Sequence, residues 1–381
     1  MENFFSNLVN DIKGLFRKQN QSVLGIDIGS SSIKIVQLSN KGGRAILETY
    51  GELALGPYAG KNVGEATNLS NEVVIQAIND MLKEKEVNIT TRSCALAIPF
   101  SSSFITVMEM PEMQQKQLEE MIPLEARKYI PVPISEVALD WYVVPRDKSP
   151  DHDSEQKTDF TGKPVSQKVE VLIVAIHNDT IIKYKEIVNR AALDASFFEI
   201  EIFSTMRSTL YQEIEPILII DMGATTTKLY IVEKGILNSS HMVIRGGQSI
   251  TNELSKSLGI PLASAEVLKR ENGLLGVVNN IDIKDVMTIT LDYIFTEANH
   301  FVLAYQKKYN KNVNKVFLVG GGSALKGVVD VAKRNFQTEV IPGDPFSKVV
   351  APAFLEKILR ETGPEFTVAV GVALRRLQEL N

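Results

Sequence analysis

Two stretches, VLGIDIGSSSIKIVQLS at residues 23–39 and ILIIDMGATTTKLYIVE at residues 217–233, decide the fold. Each is an apolar run ending in Asp-x-Gly, then a few small or hydroxyl residues, then a second apolar run with a lysine near its start. Laid in one register, Asp27 falls on Asp221, Gly29 on Gly223, Ser32 on Thr226 and Lys34 on Lys228. Short β-rich runs separated by such a turn read as hairpins. Two copies in register predict two similar domains, each offering an acidic, hydroxyl-rich turn to one shared ligand.

The bulk properties leave room for this. A chain of 381 residues holds two or more domains with their own cores, and 44% hydrophobic with 23% charged residues is ordinary for a globular protein. A net charge of −5 gives no global reason to expect nucleic acid. The single cysteine, Cys94, rules out an internal disulfide and a cysteine-based zinc site, and it favours a reducing cytoplasm. No apolar run reaches the roughly 18 residues of a spanning helix. Residues 1–20 carry Phe4, Phe5, Leu8, Ile12, Leu15 and Phe16 on one helical stripe, with Lys13, Arg17 and Lys18 beside it. Two readings fit this segment: a helix lying on an anionic membrane surface or a partner, or a helix packed on its own domain.

Helical spacing is predicted over 71–86, 114–128, 179–191, 203–213, 249–258, 262–272, 283–309, 326–335 and 366–380. Strands are predicted over 44–55, 93–99, 104–110, 139–144, 169–176, 196–200, 239–244, 316–319 and 340–341. Residues 145–168 are polar, charged and without apolar period, and read as a mobile loop. The expected organisation is a first core from 21–91, 195–215 and 366–381, an inserted subdomain at 92–194, and a second domain at 216–365. Its nucleotide-side helices are expected at about 246–310.

A nucleoside triphosphate needs donors around its phosphates, a divalent cation and a place for the base. In each turn a glycine lets the backbone approach an anion, and amides and hydroxyls of Ser30, Ser31, Ser32, Ala224, Thr225 and Thr226 can cradle oxygens. Asp27 and Asp221 are placed to hold Mg²⁺, directly or through its waters. Lys34 and Lys228 can neutralise phosphate charge. One such turn alone is as well read as a plain β-turn; the pair makes a nucleotide clamp. Gly320, Gly321, Gly322 and Ser323 follow an apolar run and precede a helix, so bare backbone there can pass close to a base or an α-phosphate. Gly246 opens a second helix near the second hairpin. Glu266, Lys269 and Arg270 share a helix face, where they either contact ribose and adenine or form a solvated charged surface.

The order of these parts resembles the actin-like ATPase superfamily: α/β, an actin-like (ribonuclease H-like) two-domain ATPase fold with an FtsA-like inserted subdomain. The resemblance spans nearly the whole chain. It implies ATP and Mg²⁺ in an interdomain cleft, held by the two Asp-x-Gly turns, the Gly320–Ser323 adenosine motif and the Glu266 helix. It also implies a hinge helix around Gly371, where tight crossing wants small side chains. Residues 110–144, MPEMQQKQLEEMIPLEARKYIPVPISEVALDWYVV, are similar to the PilM family of type IV pilus assembly proteins. That resemblance implies a cytoplasmic protein held at the inner membrane by its partner, the N-terminal cytoplasmic peptide of PilN. Ile122, Leu124, Ala126, Tyr129, Ile130, Pro131, Leu139 and Trp141 are the expected groove, with Glu119, Glu120 or Glu125 at its rim; the same residues also fit an insertion core. Pilus assembly ATPases and self-association are further partners the family allows. FtsA proteins end in an amphipathic membrane-targeting helix, whereas this sequence stops shortly after its hinge helix. A catalytic role falls to Asp221 if ATP is hydrolysed, but no water-positioning residue stands out, so ATP as a clamping ligand is the alternative to turnover. An FtsA-like filament protein and a small-molecule kinase are the competing readings.

Overall fold

A computed structural model describes residues 22–145, 168–278 and 280–380. The stripe at 1–20 and the loop at 145–168, apart from its two end residues, lie outside the described residues. The chain opens on the antiparallel meander β1 (Ser22–Ile28), β2 (Ser32–Lys41) and β3 (Arg44–Ala54), then α1 (Asn71–Lys83) and β4 (Ser93–Ile98). A 3-10 turn, Phe100–Ser102, leads into β5 (Ser103–Pro111), α2 (Gln115–Ala126), β6 (Val137–Val143) and β7 (Lys168–His177). The chain returns through α3 (Asn178–Arg190), β8 (Asp194–Ile200) and α4 (Glu201–Thr209). The second half runs β9 (Ile217–Met222), β10 (Thr227–Glu233), β11 (Ile236–Val243), α5 (Gly247–Leu258) and α6 (Leu262–Asn272). The short pair β12 (Val277–Val278) and β13 (Ile281–Asp282) precedes α7 (Ile283–Tyr309). After β14 (Lys315–Val319) come a 3-10 turn at Gly321–Ala324, α8 (Val328–Asn335), β15 (Glu339–Pro342), α9 (Glu356–Thr362) and α10 (Thr367–Glu379).

The repeat read from the two hairpins is a repeat of whole sheets. One sheet has the order β3-β2-β1-β4-β8 and the other β11-β10-β9-β14-β15. In both, two antiparallel pairings are followed by two parallel ones. Asp27 stands opposite Lys34 across the first hairpin, and Asp221 opposite Lys228 across the second. Strand β9, ILIIDM, is buried at every position, as a central strand covered on both faces must be. Helices α5, α6, α7 and α8 cover one face of the second sheet; α1 and α3 cover one face of the first and α10 the other.

Helix α10 and α4 cross where the two halves meet. A Cβ on Gly371 would lie 1.9 Å from the Ser204 carbonyl, and one on Gly25 2.0 Å from the Ala369 carbonyl. These contacts admit no side chain at either position. Glu199 locks the crossing: it accepts from Arg207 at 2.6 and 2.8 Å, from Ser204 at 2.6 Å and from Arg375 at 2.8 Å.

The boundary drawn for the insertion at 92–194 is wider than the strand pairing. The separate sheet, β5-β7-β6, runs from Ser103 to His177, while β4 and β8 pair within the first sheet and α3 packs on its core. An apolar strand carries no label for the sheet it will join, so spacing alone placed β4 and α3 with the insertion, whereas β8 lies in the 195–215 stretch expected in the first core. Helix α4 begins two positions before the predicted 203, which brings Glu201 into its first turn. An acidic residue there is favoured by the helix dipole.

Candidate functional site

The two Asp-x-Gly turns face each other across a cavity of about 300 Å³ between the sheets. Each turn is closed by the same bond: Gly29 N–H donates to the Ser32 carbonyl and Gly223 N–H to the Thr226 carbonyl, both at 3.0 Å. The tips meet, with Ser30 Oγ 3.5 Å from Thr225 Oγ1. Asp27, Gly29, Ser30, Ser31, Ser32 and Lys34 line one wall; Asp221, Gly223, Ala224, Thr225, Thr226 and Lys228 line the other.

The lysines break the symmetry of the two walls. Lys34 donates to Ser32 Oγ at 2.8 Å and pairs with Glu52 at 3.2 Å. Lys228 instead reaches Glu201 at 3.0 Å and Asp221 at 3.5 Å. Burial pushes the Asp27 carboxyl up to about 6, with Lys34 pulling it down and Glu201 adding to the rise. Burial works against the charge of Lys228, but the Asp221 and Glu201 carboxylates outweigh it and hold the ammonium well above its usual range. Asp27, Asp221 and Glu201 thus all act on the one buried Lys228 cation, with Asp221 and Glu201 bonded to it.

The glycine turn closes the far end. Gly320 adopts φ +80°, and a Cβ on it would lie 2.4 Å from Asp221 Oδ1. Only glycine both reaches the left-handed region and admits that carboxylate. Gly321 and Gly322 line the cavity with Ala324 and Leu325. Ser323 does not line it: its buried hydroxyl donates to the Gly320 carbonyl at 2.7 Å and holds the turn's shape. Gly246 is likewise a buttress rather than a wall. A Cβ there would lie 2.5 Å from the Gly223 carbonyl, and the next two amides, of Gly247 and Gln248, donate to the Gly223 and Ala224 carbonyls. Gly247 and Gln248 take its place in the lining.

Glu266, Lys269 and Arg270 stand together at the cavity wall. Glu266 is buried and accepts from Thr251 Oγ1 at 2.6 Å, Lys269 at 2.6 Å and Arg270 at 2.7 Å. Burial would raise its carboxyl, but the adjoining Lys269 charge and these bonds hold it below the usual range. Lys269 is itself lowered by burial, against the pull of Glu266. The charged-surface reading therefore fails for Glu266 and Lys269, which form a largely buried pair at the cleft, and holds only for Arg270, whose side chain is half exposed.

Glu52, Gly64, Glu201, Gln248 and Glu365 also line the cleft and were not predicted. Glu201 carried one faint signal, the alternation Glu199-Ile-Glu201-Ile in an apolar setting, which puts two acids on one face of a buried strand end.

The expected peptide groove is divided by the structure. Ile122, Ala126 and Ile130 are buried in the insertion core with Met108, Met110 and Val171, so they are core residues. Glu125 pairs with Lys128 at 2.6 Å, and Tyr129 is 48% exposed on the outer surface. A different apolar groove lies on the other side of the inserted sheet. Asp140, Trp141 and Tyr142 of β6 line it with Leu172, Val174, Phe203, Met206 and the β10–β11 turn.

Paired sheets of one topology around a shared cleft define an actin-like two-domain protein. The family model for the type IV pilus assembly protein PilM matches residues 25–377, and the chain belongs to that family. Over 322 residues it is 23% identical to the cell division protein FtsA of Neisseria meningitidis serogroup B, covering 77% of each chain. Among solved structures it is similar to the PilM–PilN type IV pilus biogenesis complex, at TM-score 0.74 and 22% identity, covering 93% of this chain and 98% of that one. MreB5 of Spiroplasma citri bound to ADP shares the fold at TM-score 0.52 and 12% identity, covering 94% and 97%. No helix among the described residues is long and apolar enough to cross a membrane.

Proposed function

We propose that the chain binds Mg-ATP in the interdomain cleft and acts as an ATP-dependent scaffold of type IV pilus assembly, docking the cytoplasmic N-terminal peptide of a PilN partner beside the inserted sheet. The observation that carries the reading is the meeting of two Asp-x-Gly turns, in one register, around the same cavity as Gly320 and Glu266. The turns offer amides and hydroxyls to phosphate oxygens, and Glu266, Lys269 and the bare backbone of Gly321 and Gly322 offer a nucleoside wall. Asp27 and Asp221 fit a hard cation that keeps several waters and needs only one or two carboxylates. When bound, Mg²⁺ would supply charge neutralisation at the phosphates.

For the partner, the groove with Leu172, Phe203 and Met206 as floor and Asp140 at its rim suits an apolar peptide with a basic end. Binding there would hold the chain at the inner membrane through its partner. Calorimetry tests both parts. Mg-ATP should bind the wild-type chain, and Asp221→Ala should weaken it at least tenfold with the fold intact; unchanged affinity would sink the role of the second turn. Titration with the PilN N-terminal peptide should show binding that depends on Mg-ATP.

A further inference from the structure

We propose that Glu201 is the positioning residue that couples occupancy of the cleft to the groove beside the inserted sheet. The proposal rests on the nucleotide reading above and adds the physical link between its two sites. The Glu201 carboxylate stands at a branch point. One oxygen accepts from Lys228 Nζ at 3.0 Å, inside the cleft. The other accepts from the backbone N–H of Phe100 at 2.6 Å. Phe100 begins the turn that carries the chain into β5, and Ser103 Oγ ties that turn by donating to the Phe100 carbonyl at 2.9 Å.

A second connection runs through the same residue. Glu201 is the first residue of α4, whose Phe203 and Met206 line the groove. The face of β10 that holds Lys228 in the cleft also holds Tyr230, whose ring meets Phe100 edge-on at 5.8 Å. The Tyr230 hydroxyl is buried with no hydrogen-bond partner. Cleft cation, helix start, insertion entry and groove floor therefore converge on one carboxylate.

The chemistry gives the link a direction. Lys228 is the shared cation of Asp221 and Glu201 and is almost out of water, where charge attraction is strong. A polyanion entering the cleft competes for that ammonium. As Lys228 turns to the phosphates, Glu201 loses one of its two partners and its hold on the Phe100 turn changes. The cleft ligand thus interacts differently with two arrangements of the insertion entry, which is the requirement for coupling.

The test is amide hydrogen exchange over residues 103–111, 137–143 and 201–209, with and without Mg-ATP, saturation being set for each variant by calorimetry. Phe100→Pro deletes the N–H at the first position of a 3-10 turn, after a Pro99 at φ −61°, ψ 139°, where a proline backbone is accommodated. Phe100→Leu keeps the N–H and loses the ring. Wild type and Phe100→Leu should show a nucleotide-dependent change in exchange at these segments. Phe100→Pro should bind Mg-ATP yet lose most of that change, and Glu201→Gln should reduce it. A role in structure alone would shift exchange equally with and without nucleotide. A full response in Phe100→Pro, equal loss in both Phe100 variants, or no response in a wild type that binds Mg-ATP would overturn the coupling. Absence of Mg-ATP binding in the wild type would overturn the nucleotide reading, and this proposal with it.

Discussion

Charge at single residues shapes both the cleft and the crossing of α4 and α10. Glu199 is the clearest case outside the cleft, because its buried carboxylate gathers Arg207, Ser204 and Arg375 from two helices. Burial opposes its charge, but the Arg207 bond and charge, then Ser204 and Arg375, hold the carboxyl below its ordinary 4.5. A depressed carboxyl stabilises the fold above its unfolded value and loses that contribution as pH falls through the lower folded value. Glu199→Gln should therefore cost about 2–3 kcal/mol at pH 7, in line with charged hydrogen bonds. Chemical denaturation at pH 7, 5 and 3 should show a shallower acid-side decline in the variant than in wild type; parallel curves would remove Glu199 from the acid sensitivity. Asp221, Lys228 and Glu266 were all visible in the sequence because each sits in a repeated or periodic motif. Glu201 was not, since its importance comes from which backbone amide and which lysine the fold brings to it.

Elements decide how closely the halves approach. The crossing of α10 and α4 is set by Gly371, and no rotamer choice elsewhere relieves a methyl placed 1.9 Å from the Ser204 carbonyl. Gly371→Ala should cost about 2–3 kcal/mol, the upper range for overpacking a tight contact. Urea unfolding should show a lower midpoint, and an unchanged midpoint would mean that the helices separate freely. The small residues around Gly371 were legible as a tight crossing; the identity of the partner helix was not. The inserted element shows the opposite balance. Its helix and strands were placed closely by spacing, yet Ile122, Ala126 and Ile130 proved to be its core, and the groove on its other face is lined by Leu172, Phe203 and Met206, which belong to a second apolar cluster. Apolar periodicity shows that a face is buried without saying whether its own subdomain or a partner buries it.

At the scale of the molecule, an apolar cluster joins α4 to the second sheet, while the two turns meet across the cleft through light polar contacts. Ser30 meets Thr225, and the Ala66 amide donates to Gln248 Oε1 at 3.0 Å. A ligand held by both walls would add to these contacts and stabilise the two halves together. At a hundredfold excess over Kd, Mg-ATP should raise the unfolding free energy by about 2.7 kcal/mol. Differential scanning calorimetry should show the shift in wild type and its loss at the same nucleotide concentration in Asp221→Ala. A shift of equal size in both would place the nucleotide elsewhere.

The sequence by itself determined the paired hairpins and their Asp-x-Gly turns, because hairpin, turn and apolar strand are local patterns repeated in one register. It also carried the family, through the insertion between residues 110 and 144. Only the tertiary structure decided that β4 belongs to the first sheet and α3 to its core, that Gly246 and Ser323 support the cleft instead of lining it, and that Glu201 bonds both Lys228 and the Phe100 amide. Those facts depend on contacts between residues far apart in the chain, and local spacing holds no record of which distant backbone or charge a side chain will meet.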